Sequence, residues 1–194
     1  LTQEDVADAG VELVDMDTLL AESDFVSISV PLSAQTHHLI GERGVGLRQF
    51  MQALAVGRIS VAALSLGLAQ ACLEVSLEYA KQREQFGQPI GRFQAIQFKL
   101  ADMAVAVENA RLITYKAAWL HDRGADYAKE AAMAKLYASD TAMQAALEAV
   151  QIHGGYGYTD EFVVSRFFRD AKILQIGEGT NEIQRLVIAR HLGC

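Results

Sequence analysis

The chain has 194 residues, 51% of them hydrophobic and 21% charged, with a formal net charge of -7. That balance excludes the disordered class and fits one globular domain, or one domain with a fragment of another. The acidity argues against a nucleic-acid partner, which would want a basic stripe.

Pro31 and Pro89 are the only prolines, so long unbroken helices are permitted from Gly91 onward. Cys72 and Cys194 make no disulfide framework; Cys72 falls in an apolar helical pattern and reads as a buried thiol. A reducing, cytoplasmic compartment is the expectation that follows. No signal-peptide pattern opens the sequence, and no apolar run reaches about 18 residues without a polar interruption, so membrane insertion is not expected. The start at Leu1 rather than Met points to a fragment or a processed chain.

In chain order, Val11 to Val14 is strand-like, and Asp17 to Glu22 suggests one or two helical turns with Asp15 or Asp17 as N-cap. Phe25 to Val30 is a second strand candidate, stopped by Pro31. Strand, short helix, strand makes a piece of an α/β unit too small to hold a core alone. Gly41, Gly44 and Gly46 mark a loop, after which helical periodicity takes over.

The first long helix is expected from Leu47 to about Lys81, with Leu64, Leu68, Ala71 and Val75 on one face. A second runs from Gln94 to about Asp122 on the stripe Ile96, Leu100, Met103, Val107, Ala110 and Ala117. Gly124 ends it, and a third runs from an N-cap at Asp126 to about Ile152, with Met133, Leu136, Met143, Leu147 and Val150 inward. Gly154, Gly155 and Gly157 break the chain; a short helix over Glu161 to Asp170 and a last one over Asn181 to His191 follow. Long antiparallel helices with short connections predict an up-down four-helix bundle, a mainly α fold preceded by the short α/β fragment.

Three segments carry candidate chemistry. In Ile176 to Arg185 a carboxylate, Glu178, sits between two glycines just before a helix. Glycines let the backbone approach a ligand, and the helix start offers free N–H groups to an anion. Held against apolar surface and a flat cofactor, Glu178 would be desolvated and poised as a general base. The plain alternative is that Thr180 caps the last helix and Glu178 is merely exposed. Gln151-Ile152-His153-Gly154-Gly155 would let main chain lie against a cofactor, or is an ordinary glycine C-cap. His153 reads as packed or capping, and His37, His38, His121 and His191 show no metal-ligand spacing, so no metal is expected. Arg83 to Gly87, followed by Phe93 and Gln94, suits a phosphate contact beside a pocket wall; otherwise it is a surface Arg and a core Phe. Arg166, Arg169 and Lys172 read as a solvated helix face.

Taken together, the order and spacing of these segments, with Phe93 to Ala104 and Arg166 to Ile173 between them, resemble the acyl-CoA dehydrogenase family from about Gly41 to Cys194. The resemblance implies a flavoprotein oxidoreductase of fatty acid metabolism: FAD as cofactor and oxidation of an acyl-CoA thioester to the 2,3-enoyl-CoA. Glu178 would take the α-proton while the β-hydride goes to the flavin. By motif position Arg83, Gln85 and Phe86 would contact the FAD diphosphate region, and Phe93 and Gln94 belong to the next cofactor segment. Gln151, Ile152, His153, Gly154 and Gly155 would contact the FAD of a neighbouring subunit; Gly179, Thr180 and Glu182 would line the flavin side. Arg58 and Gly179 are the implied acyl-CoA contacts, although Ala55 stands where the family's stretch has Asp. A homo-oligomer, dimer or tetramer, is implied, as is an acceptor like an electron-transfer flavoprotein.

The family carries a helical domain and a β-domain ahead of this region; the chain has room for neither, so impaired activity is expected, with a non-catalytic helical oligomerisation module as the alternative. Residues 1–40 instead resemble a fragment of a D-2-hydroxyacid dehydrogenase cofactor domain, through Gly10 to Val14, Leu19 to Ser27 and Pro31 to Ile40. The glycine-rich turn that would hold NAD pyrophosphate is missing from it. A junction near Gly41 and a fusion or chimera are therefore expected.

Overall fold

The computed structural model describes residues 12–23 and 45–194. The chain divides into two compact units, Leu1–Gly46 and Leu47–Cys194. In the first, helix α1 spans Met16–Glu22, and the Asp15 carboxylate accepts the Thr18 N–H at 2.8 Å. That bond and the neighbouring backbone N–H groups hold the Asp15 carboxyl below its usual value. Residues 12–15 lie in no sheet, which corrects the strand-like reading of Val11 to Val14 over its described part, residues 12–14. The Phe25 to Val30 strand and the glycines at 41 and 44 lie outside the described residues.

Helix α2 spans Val45–Gln82, from Leu47 onward in the second unit. It begins before the predicted Leu47 and takes Gly46 into its first turn, so the expected loop does not extend that far. A small antiparallel hairpin follows, β1 (Glu84–Gln85) and β2 (Gln88–Pro89). Phe86 (φ 54°) and Gly87 (φ 78°) make its two-residue turn in the left-handed conformation that matches strand twist. Helix α3 (Gln94–Asp122) and α4 (Ala128–His153) come next, then α5 (Val164–Ile176) and α6 (Asn181–His191). At the α3–α4 connection Gly124 (φ 65°) closes the helix end, its N–H donating to the His121 carbonyl. Asp126 accepts the Ala128 N–H at 3.1 Å two residues ahead of α4. The short helix expected over Glu161 to Asp170 starts three residues later and continues to Ile176.

The α3 stripe is as predicted: Met103, Val107, Ala110 and Ala117 are buried, with Ile96 and Leu100 at the core's edge. Burying Met103 and Val107 contributes about 1.5–3 kcal/mol each. The stripes on the other two long helices hold only in part: Leu68, Val75, Met143 and Val150 also sit at the core's edge. Leu64 is 64% exposed and Leu147 48% exposed, and Met133, Leu136, Met143 and Val150 are only partly buried. Helix α4 instead buries Ala131, Ala134, Ala138, Ala142, Ala145 and Ala149, and α2 buries Ala55, Ala62, Ala69, Cys72 and Ala80. A methyl-sized face lets helix backbones approach closely, so the small residues win the centre and the large ones move to the flanks. Burial also pushes the Cys72 thiol up to about 12. Ala53–Gln82 is, by length and composition, apolar enough to cross a membrane, contrary to the expectation of no such segment; the small-residue face of this helix packs in the bundle core.

Candidate active site

Glu178 lies in the link between α5 and α6, where its φ is 54° and that of Gly179 is 86°. Its carboxylate reaches back over α2: a Cβ added at Gly57 would sit 2.5 Å from Glu178 Oε2. Gly57 is therefore the vacancy into which the carboxylate folds. Gly179 is equally constrained, because a Cβ there would meet Gln184 Nε2 at 2.9 Å. Next along α2, Arg58 is 3% exposed and its Nε has no hydrogen-bond partner. Burial draws its pKa down, opposed by attraction to Glu178. Glu178 itself is exposed, so the apolar surface expected to desolvate it is not supplied by the described residues. Ala55 is buried beside a cavity of about 720 Å³ that Arg58 also lines.

The Glu178 link is held from α4. Lys135 is wholly buried, and its Nζ donates to the Gln175 carbonyl at 3.1 Å and to Asn181 Oδ1 at 2.8 Å. Asp140 Oδ1 accepts from Gln175 Nε2 and from Asn181 Nδ2, both at 2.7 Å. Ser139 Oγ completes the contacts of Asn181. Gln184 Nε2 donates to the carbonyls of Glu178 (3.2 Å) and Gly179 (2.8 Å). Desolvation lowers the Lys135 pKa to about 8, against the attraction of Asp140 and Glu182. These residues were not singled out from sequence. The available signal was a charged side chain, Lys135, in the middle of an alanine face.

A second cluster forms at the other end of α2. Tyr79, Arg83, Gln85, Ile90, Ile152, His153, Gly154 and Gly155 line a cleft of about 490 Å³. Six of the sequence-predicted cofactor residues meet there: Arg83, Gln85, Ile152, His153, Gly154 and Gly155, Ile152 being buried. The Arg83 guanidinium lies 5.5 Å over the Tyr156 ring and makes no ion pair among the described residues. Gly154 has φ 63°, and a Cβ at either Gly154 or Gly155 would meet no atom within 4 Å. The backbone there is bare toward the cleft, with a guanidinium beside it, a fit for a group that combines a flat body with a diphosphate. His153 stacks on Tyr79 at 4.1 Å, and its Nδ1 lies 2.7 Å from the Ala149 carbonyl. A carbonyl only accepts, so Nδ1 carries the hydrogen. Burial pulls this imidazole below its ordinary value; no group of three or more metal-ligating side chains occurs among the described residues.

The remaining predicted residues fall around these two clusters. Phe86 is 94% exposed at the hairpin tip, 6.1 Å edge-to-face from Phe93, which precedes α3. Gln94 and Gln151 are exposed. Thr180 and Glu182 border a separate polar cavity with Asp140 and Arg185. The backbone N–H of Glu182 and the Thr180 hydroxyl hold the Glu182 carboxyl below its usual value. From Arg58 to Arg83 the helix climbs about 37 Å, so the Glu178 and Arg83 clusters of one chain stand far apart.

Residues 44–193 match the family model for the acyl-CoA dehydrogenase C-terminal domain, and residues 1–64 match that for the NAD-binding domain of D-isomer specific 2-hydroxyacid dehydrogenases. A probable acyl-CoA dehydrogenase of Bacillus subtilis (strain 168) is 59% identical over 155 residues, 80% of this chain and 41% of that protein. The butyryl-CoA dehydrogenase of Megasphaera elsdenii is similar in structure, with TM-score 0.78, 52% identity, and coverage of 79% of this chain and 40% of that one. PigA with FAD and proline is similar at TM-score 0.76 and 39% identity, over 79% of this chain and 40% of that one. The chain thus spans about two fifths of the length of these relatives.

Proposed function

The chain belongs to the acyl-CoA dehydrogenase family, through its C-terminal domain, and from that premise we propose FAD-dependent oxidation of an acyl-CoA thioester to the 2,3-enoyl-CoA, with Glu178 as the base. The observation that carries this reading is the Glu178 carboxylate, folded over Gly57 beside buried Arg58 and presented to solvent on left-handed backbone. None of the described residues covers it, so a thioester's α-carbon has access. Glu178 accepts the α-proton as the Cα–H bond breaks, and Arg58 supplies a fixed positive charge beside the carboxylate. FAD, when bound, accepts the β-hydride. Arg83 and the bare Gly154–Gly155 backbone would hold its diphosphate region.

We place these two half-sites on different copies of the chain. The separation of about 37 Å along α2 supports this, being further than one dinucleotide bridges. An outward stripe on α3 supports association too: Phe98, Val105, Leu112, Tyr115 and Trp119 are each at least 56% exposed. Apolar patches of that kind mark association surfaces. Electrons leave to an acceptor like an electron-transfer flavoprotein. Residues 1–40 are read as the separate α/β fragment and 41–194 as the working domain.

The test is a visible spectrum after FAD loading and desalting, repeated with a short acyl-CoA. A retained flavin band that bleaches supports the reading. A chain that retains no flavin contradicts it and leaves the alternative of a helical oligomerisation module, for which the α3 stripe suffices.

A further inference from the structure

We propose that Lys135 is a positioning residue for the base: its side chain ties together the two ends of the link that carries Glu178. The inference rests on the reading of Glu178 as the base. One Nζ bonds the Gln175 carbonyl, before the link, and the Asn181 side chain, after it. Asp140, from the same helix, joins the same two residues with two more bonds. The link is thus closed twice at its base, on partners that α4 carries.

Two further observations point the same way. The first is cost: a buried ammonium gives up its hydration, and an apolar side chain of similar size would fill the alanine face of α4 without that loss. Packing therefore does not account for a lysine at this place, whereas two acceptors flanking Glu178 do. The second is conformation. Glu178 is a non-glycine residue at φ 54°, a state that persists only where its surroundings over-determine it. With entry and exit fixed by Lys135 and Asp140, Gln184 grips the Glu178 and Gly179 carbonyls from inside the link. From that backbone the carboxylate lies over Gly57.

The experiment compares Lys135→Met with the unaltered full chain by backbone NMR. In the unaltered chain the amides of Gly177 to Thr180 should be as rigid as those of α4, with order parameters of about 0.85; in Lys135→Met those of the link should fall below about 0.6 while α4 stays rigid. If Lys135→Met does not fold, Asn181→Ala opens the same closure from the link side and should give the same local loss. In flavin-loaded protein Lys135→Met should retain flavin normally but slow its reduction by acyl-CoA about tenfold, a split that a general loss of structure would not give. A link equally rigid in the folded variant and the unaltered chain overturns the proposal, as does a link already mobile in the unaltered chain. Failure of both variants to fold also overturns it, since the closure would then hold the fold rather than the link. The order parameters need no flavin, so failure of the unaltered chain to bind FAD counts against the proposed function and leaves this result standing.

Discussion

The two ends of α2 are built in different ways. At the Gly57–Arg58 end, charged and polar side chains, most of them buried, are tied to one another beneath the link that carries one exposed carboxylate. At the Arg83 end the features are open backbone, stacked rings and an aromatic side chain, Phe86, left in solvent. The first end is organised within a single chain; the second is a surface shaped for something that lies on it. A base must be held to a fraction of an ångström, whereas a cofactor cleft is completed by what binds there.

The comparison can be broken most severely at Glu178. Glu178→Gln keeps the shape and removes the base, so flavin reduction by acyl-CoA should fall by about 10²–10⁴ with flavin retention unchanged. Gly57→Ala should come next. Its Cβ would lie 2.5 Å from Oε2, and a base displaced by about 1 Å loses on the order of 10² in rate; stopped-flow bleaching measures it. Arg83→Met should act at the other end only: loss of charge-assisted bonds of about 1.5–3 kcal/mol weakens flavin binding roughly 10- to 150-fold, read by titration. Bleaching of the flavin that does bind should stay fast.

Two smaller effects concern the bundle that joins the ends. Ala142→Leu inserts three carbons into a face with no space and should destabilise by about 1–3 kcal/mol, seen as a lower melting temperature. Lys135 gives a pH signature. Its folded pKa of about 8 lies below the ordinary 10.5, so the unfolded chain binds more protons between those values and stability rises with pH across that window. Cys72 works against it above about 9, because its folded thiol holds its proton up to about 12 while the unfolded thiol releases it. The difference in melting temperature between the unaltered chain and Lys135→Met should therefore shift in favour of the unaltered chain from pH 8 to 10.

Legibility from the sequence followed chemistry more closely than packing. Helices α3 and α6 were readable to the residue, because Pro89, Gly91, Gly124 and the Gly177–Thr180 segment mark their ends. The inward face of α4 was misread. Hydrophobic size pointed to Met133, Leu136 and Leu147, yet close helix contact selects the alanines. The Arg83 and Gly154 segments were readable as separate motifs, but their meeting in one cleft depends on α2 and α4 ending side by side, which spacing does not encode. Lys135 escaped notice for a related reason. Its partners lie some forty residues downstream, and only the fold brings them under the Glu178 link.

The division of the site between copies is tested most directly by mixing Glu178→Gln, which holds flavin but does not bleach it, with Arg83→Ala, after dissociation and reassociation at an FAD concentration too low for the weakened Arg83→Ala site to fill. In a mixed pair one site receives Glu178 from one copy and Arg83 from the other. Bleaching by acyl-CoA should return in the mixture although neither variant bleaches alone. A mixture as silent as its parts, from an unaltered chain that bleaches under the same treatment, would contradict a site divided between two copies.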